Sequence, residues 1–311
     1  MLDRCSITVV ILPLLLAAGH AAAQTRENVP QCCIPGSAPS QNDKVMSGVQ
    51  IHDLVARALE SQRKDDVALT AYERTEHSIT KGNGKDIPDK DIVTRIIPTG
   101  TDVVHVELSR NGKPTDAAIL EQQWRGLEKI LQIESHPEDP LAKLDYERAT
   151  KRRHERAEMI DAFSKAFTFH WVGRGTLGGT TVVEFSFEPD PEYRSSIRYG
   201  NLFAHAHGRI WLEETSGHVV RFEGQLNSDV SFGGGVFAKV YRGGHFTFEQ
   251  MEVAPGMWLP KRSTYDFDGR KFVFGMAVHE QVQTSDYRYV GPPEEALLLV
   301  RREHPGAGAS H

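Results

Sequence analysis

The sequence predicts a mainly β protein of the α+β class: an antiparallel meander sheet with one apolar face, and helices to cover it. The first sign is alternation, with Val183, Phe185 and Phe187 set against Val182, Glu184 and Ser186, and Val220, Phe222 and Leu226 set against Arg221, Glu223, Gln225 and Asn227. Side chains of a strand point to opposite faces with period two, so this is a sheet with an oily side and a wet side. The second sign is the punctuation: Gly178-Gly179, Ser216-Gly217, Pro255-Gly256 and Asp268-Gly269 are short Gly-bearing links of the kind that join antiparallel hairpins. The third is an interruption from about residue 115 to 167, where Leu120, Trp124, Leu127 and Leu131 recur at steps of four, three and four and paint one side of a helix.

The first 23 residues read as a secretory signal. Arg4 gives the positive start, Ile7 to Ala18 the apolar core, and Ala21-Ala22-Ala23 a small-residue cleavage site before Gln24. The apolar run is too short to span a bilayer, is interrupted by Pro13, and no later stretch in the chain is long enough. No cysteine directly follows the expected cleavage site, so a lipid anchor there is not indicated. The mature chain is therefore expected to be soluble and periplasmic. Of three cysteines, Cys5 leaves with the signal, and Cys32 and Cys33 stay in a polar leader spanning residues 24–45. Neighbouring Cα atoms lie about 3.8 Å apart, below the usual disulfide span, so a mobile segment with two thiols is the simpler reading. Hydrophobic content of 39%, 25% charged residues and a net charge of −6 describe a folded chain without an electrostatic footprint for nucleic acid. The mature length suits one large all-β domain or two small ones, and the order of elements favours a single domain over residues 46–292.

Along the chain, a short helix is expected after Ser47, a plausible cap, with Val49, Leu54, Val55 and Leu59 near helical spacing. A strand from about Val67 to Ile79 ends at Gly82-Asn83-Gly84. Strands near Ile92 to Pro98 and Asp102 to Leu108 follow, with Val104, Val106 and Leu108 on one face and Asn111-Gly112 as the turn. Pro137 and Pro140 break the first helix of the insertion, and a second runs from about Leu141 to Phe167 with the stripe Ile160, Phe163, Phe167. Its basic run, Lys151 to Arg153 with His154 and Arg156, is interleaved with Glu147, Glu155 and Glu158, as a solvated face laced with ion pairs would be. The remaining strands are expected at Phe167 to Trp171, Thr180 to Phe187, Arg209 to Glu213, Val219 to Asp229, Val236 to Val253, Trp258 to Phe267 and Lys271 to Val290. Residues 293–311, with Pro305, Gly306 and Gly308, are expected to be a disordered tail.

Catalytic and metal patterns are weak. Among fourteen histidines, His205 and His207 share a face in an extended segment, and His218 and His245 could meet across strands, but neither pair has a third ligand at defined spacing. No metal, no cofactor and no catalytic residue is assigned. There is no Gly-x-Ser-x-Gly elbow. Gly233-Gly234-Gly235 lacks the Lys-Ser/Thr ending of a phosphate loop, and the adjacent pairs Glu213-Glu214 and Glu294-Glu295 would point apart in a strand.

That leaves the apolar face. Phe185, Phe187, Ile210, Leu212, Val220, Phe222, Phe246, Phe248, Phe272, Phe274 and Met276 are expected on one side of the sheet, with Trp124, Leu127, Leu131, Ile160 and Phe163 as its helical cover. Such a face is either a solid core or a partly closed pocket, and the two patterns look alike in sequence. Gly208-Arg209-Ile210-Trp211-Leu212-Glu213, its Gly217 turn, and Met257-Trp258-Leu259-Pro260-Lys261 resemble the envelope proteins related to lipoprotein-sorting carriers, the LolA/LolB-like family, in its uncharacterised secreted branch. The resemblance runs loosely from about Val67 to Val290. It implies a curved antiparallel sheet forming an unclosed half-barrel, with helices covering the concave apolar face. It also implies a non-enzymatic periplasmic protein that carries a lipid or acylated lipoprotein. The insertion at 115–167 is longer than that family's usual lid. Candidate ligand-binding residues are Trp124, Leu127, Phe163, Phe185, Phe187, Ile210, Leu212, Phe222, Phe246, Phe248, Phe272 and Phe274. The alternative is an envelope scaffold with a solid core that binds another protein.

Overall fold

The computed structural model describes residues 45–81, 89–197, 200–232, 238–272 and 274–304. The signal, almost all of the leader with Cys32 and Cys33, Gly82-Asn83-Gly84, Gly233-Gly234-Gly235 and residues 305–311 lie outside the described residues.

Helix α1 (Gly48–Ala68) starts where Ser47 and Gln50 form a reciprocal cap: Gln50 N donates to Ser47 Oγ at 3.3 Å, and Ser47 N donates to Gln50 Oε1 at 2.9 Å. It is longer than its apolar spacing suggested, and Val67 is its exposed last turn rather than the start of a strand. Strands β1 (Tyr72–Thr80), β2 (Lys90–Pro98), β3 (Val103–Arg110) and the two-residue β4 (Lys113–Pro114) follow. Helix α2 (Ala117–Glu134) is capped by Asp116, and α3 (Pro140–Ala166) by Asp139 with Pro140 at its first position. Proline there needs no N–H and has the right φ, so Pro140 begins a helix instead of merely breaking one. Strands β5 (Phe167–Leu177), β6 (Thr180–Pro189), β7 (Ala206–Glu213), β8 (Val219–Leu226), β9 (Val230–Phe232), β10 (Ala238–Val240), β11 (His245–Ala254), β12 (Met257–Lys271) and β13 (Phe274–Tyr289) complete the sheet. The expected strand Val219 to Asp229 stops at Leu226, and the expected strand Val236 to Val253 is divided in two at the Arg242-Gly243 turn.

Residues 293–303 are not a disordered tail but helix α4 (Pro293–Glu303). Glu294 and Glu295 in its first turn and Arg301 and Arg302 in its last complement the helix dipole, and Ala296, Leu297 and Val300 are buried. A run too brief for a membrane is long enough for a three-turn amphipathic helix.

All pairings are antiparallel, in the order β4-β3-β2-β1-β13-β12-β11-β8-β7-β6-β5, with the β9-β10 ribbon extending β12. β4 and β5 are opposite edges, so the sheet is open, and the α2–α3 excursion carries the chain from one edge to the other. At 1.5 Å per residue, the 27 residues of α3 reach about 40 Å. Eleven strands at about 4.8 Å are of similar width, so one helix crosses most of the sheet. Bulges in β5, β8 and β12 bend the strands and curve the sheet into an unclosed half-barrel.

Directly opposed residues share a face, and Phe185, Ile210, Phe222, Phe248, Ser263, Val282, Ser78 and Ile92 are successive partners from β6 to β2. Helices α1 and the C-terminal part of α3 cover this face with Leu54, Val55, Ala58, Ala162, Phe163 and Ala166. Helices α2 and α4 cover the other face, because in β2 and β3 the apolar side chains Ile97, Val104, Val106 and Leu108 point that way. The expectation that both helices of the insertion roof a single face is corrected by this alternation.

Candidate functional site

Phe185, Phe187, Ile210, Leu212, Phe222 and Phe246 come together in one buried cluster with Phe163, as expected, and Phe248 packs half-buried at its margin. A glycine pair shapes its centre. Gly208 and Gly224 sit directly opposite each other, and a Cβ on them would fall within 2.8 Å of the Phe187 ring and 2.5 Å of the Phe246 ring. The bare backbone lets rings two strands apart meet. Phe187 stacks on Phe222 at 4.9 Å, Phe222 on Phe246 at 5.3 Å, and Phe246 on Phe267 at 6.3 Å. Onto this row α3 lowers Phe163, whose ring lies 5.4 Å from Phe222, 5.7 Å from Phe187 and 4.9 Å from Phe167.

Other candidates lie elsewhere. Trp124 and Leu127 belong to the opposite-face cluster, where Trp124 stacks on His304 at 3.8 Å beneath the Arg95 guanidinium. Val220 is turned to that opposite face by the bulge in β8 and packs with Val182 and Trp258. Phe272 is 48% exposed at the turn between β12 and β13, with φ of 54°, and takes no part in the cluster. The side chain of Phe274 is outside the described residues. Sequence reasoning missed Phe203 and Leu202, which a short 3-10 turn (Gly200–His205) presents, and Ala58 of α1, which joins Leu54 and Val55 of the helical spacing in this cluster.

Ion pairs hold α3 in place. Arg63 of α1 donates from Nε to Asp161 Oδ1 at 2.9 Å, Arg156 donates to Asp66 at 3.0 Å, and Arg152 donates to Thr101 O at 3.0 Å and Asp102 at 3.2 Å. Of its 27 residues, the only large buried side chains are Ile160 and Phe163; the others buried are alanines, at 142, 149, 162 and 166.

Farther along the same face the lining becomes polar. Arg74 is 2% exposed and donates from Nε to Glu76 Oε1 at 2.8 Å. Tyr287 Oη donates to Pro260 O at 2.7 Å. Burial raises the Tyr265 and Tyr287 pKa values and lowers that of His105, so all three stay neutral. At the end of α1, buried Asp65 accepts from Trp258 N at 3.3 Å, and burial pushes its carboxyl up to about 6. His218 Nε2 lies 3.6 Å from it and is itself lowered by burial. A separate open cleft of about 560 Å³ lies at the sheet end between Glu188, Tyr193, Arg194, His207 and Asn227, away from the phenylalanines. His205 Nδ1 lies 2.7 Å from Ser228 Oγ, and no group of three potential metal ligands occurs among the described residues. No helix among them is long and apolar enough to cross a membrane.

The chain matches no family model and no curated protein. Among solved structures it is similar to an outer membrane lipoprotein-sorting protein domain from Vibrio parahaemolyticus, at 10% identity over 76% of this chain and 93% of that one, with a TM-score of 0.29. It is similar to a LolA superfamily protein from Nitrosomonas europaea at 8% identity, 79% and 96% coverage and a TM-score of 0.26. The MucA/MucB complex of Pseudomonas aeruginosa gives 8%, 75% and 93%, with a TM-score of 0.21.

Proposed function

We propose that this chain is a non-enzymatic, periplasmic binding protein that shelters an acyl chain, free or on a lipoprotein, between the phenylalanine face and α3. The observation that carries this reading is the asymmetry of the cover: an aromatic floor lies under a helix that sends one large buried side chain, Phe163, into the cluster, with Met159 half-buried beside it, and is otherwise held by alanine contacts and partly exposed ion pairs. Burying Phe163 is worth about 1.5–3 kcal/mol. A fourteen-carbon chain in the same place gains about 10 kcal/mol, at about 0.8 kcal/mol per methylene. The ligand can therefore displace the plug, with α3 swinging on its junction with β5 as the lid.

A fluorescent polyene fatty acid titrated into the full mature protein tests this. Saturable binding, with native mass spectrometry showing one acyl ligand per chain, is the expected result. A folded protein that takes up no probe, and whose Phe163→Ala variant takes up none either, has a solid core; the proposal then fails in favour of the scaffold reading.

A further inference from the structure

Strand β1 departs from the strands around it. After Tyr72 at its start, its residues on the phenylalanine face are Arg74, Glu76, Ser78 and Thr80, none of them hydrophobic. Arg74 is almost wholly buried; its Nε donates to Glu76, and among the described residues its Nη1 is buried without a partner. His105 sits on the same face, paired with Ile96, which is paired with Arg74, and it too buries an unpartnered nitrogen, Nε2. Buried polar groups are nearly always satisfied, and a charged donor left without an acceptor is costly. Two such nitrogens on one face describe a place for an oxygen that none of the described residues supplies.

The place is continuous with the apolar site. Between Phe248 and β1 the face is carried by half-buried Ser263, Tyr265 and Val282 and by buried Thr284, the partner of Glu76, so of the four side chains between the rings and β1 only Val282 lacks a polar group. Four strand spacings separate β8, which bears Phe222, from β1, or about 19 Å, comparable to an extended long-chain acyl group.

We infer that this is the polar end of the same groove and that it binds the carbonyl oxygen of an acyl ester or amide, with Arg74 Nη1 as donor. The inference rests on the acyl-chain reading above and names the ligand's chemistry. A free carboxylate fits worse. The Arg74 charge is already balanced by Glu76, and Glu280, which accepts from Ser78 Oγ at 2.7 Å, brings a second carboxylate to this face. An ionised ligand would meet both with little water to screen them, whereas an uncharged carbonyl accepts the hydrogen bond and adds no charge.

Competition against the fluorescent probe tests this on the full mature protein, using methyl myristate, myristic acid and pentadecane at pH 8. The ester is expected to displace the probe at about tenfold lower concentration than the alkane, the worth of one hydrogen bond to a charged donor, and at lower concentration than the acid. In an Arg74→Leu/Glu76→Leu double variant, which removes the buried pair as a unit, the ester and alkane should fall within about twofold of each other. Equal competition by ester and alkane on the unaltered protein overturns the polar-end assignment while the acyl-chain reading stands. An acid that outcompetes the ester overturns the preference for an uncharged carbonyl. Failure of the probe itself to bind sinks both readings. If the double variant does not fold, the ligand series on the unaltered protein decides alone.

Discussion

Helices α2 and α4 on one face of the sheet, and α1 and α3 on the other, cover apolar side chains by different means. Under α2 and α4 the contact is a jigsaw of Trp124, Leu127, Leu131, Leu297 and Val300 over Ile97 and Val106. A charge network closes its rim: Arg301 with Glu128 at 2.6 Å, Arg95 with Glu303 and Glu73 at 2.8 Å, and Arg288 with Glu303 at 2.7 Å. Under α3 the bulk comes from the floor, and the helix offers alanines, Phe163 and the half-buried Met159. The first arrangement is rigid because both partners are large and interlocked. The second keeps its aromatic surface on the sheet, where it would remain if the helix moved.

The sharpest way to break this comparison is Phe163→Ala. It should cost about 4 kcal/mol in denaturant unfolding, and saturating acyl ligand should recover more stability in the variant than in the parent, because ligand fills the hole. Leu131→Ala, fully buried under α2, should cost about 3 kcal/mol, with no extra recovery by ligand. Equal recovery in the two variants would erase the distinction between the faces.

Two titrations sharpen it further. The Asp65 pKa lies near 6, above its unfolded value, so its charging opposes folding and stability is lost as pH rises from about 4 through 6. Asp65→Asn, which can still accept from Trp258 N, should stabilise by about 2 kcal/mol at pH 8 and by almost nothing at pH 4, read as the shift in urea midpoint. Glu303 behaves oppositely. Its hydrogen bond from Arg288 holds its pKa near 2, so its contribution is present above about 4.5 and lost as pH falls towards 2. With solvent screening this is worth about 1 kcal/mol, and Glu303→Gln should flatten that part of the acid-unfolding curve. The smallest effect belongs to the exposed Arg63–Asp161 pair: Asp161→Asn should cost about 0.5 kcal/mol globally, yet speed hydrogen exchange in α3 before that in α2.

The phenylalanine face was legible because strands such as Thr180–Pro189 alternate cleanly, and the register of β6, β7, β8 and β11 then aligns Phe185, Ile210, Phe222 and Phe248. Helices α2 and α3 were legible from Leu120 to Leu131 and from Ile160 and Phe163. Helix α4 was not, since its three buried side chains are too few to show a period. Val220 was misplaced because one extra residue in β8 reverses the facing of everything before it, and nothing local marks the bulge. Arg74 and Glu76 carried a signal that periodicity does not weigh: a nine-residue strand with no apolar side.

By itself, then, the sequence determined the class of fold, the antiparallel hairpins and the oily side of each strand, because these follow from alternation over a few neighbouring residues. Only the tertiary structure decided which helix lies on which face, that β1 joins β13 in the middle of the sheet, and that a buried arginine ends the row of phenylalanines. Those outcomes depend on pairing between residues about two hundred positions apart, as in Ser78 with Val282, and no local pattern encodes a partner so distant.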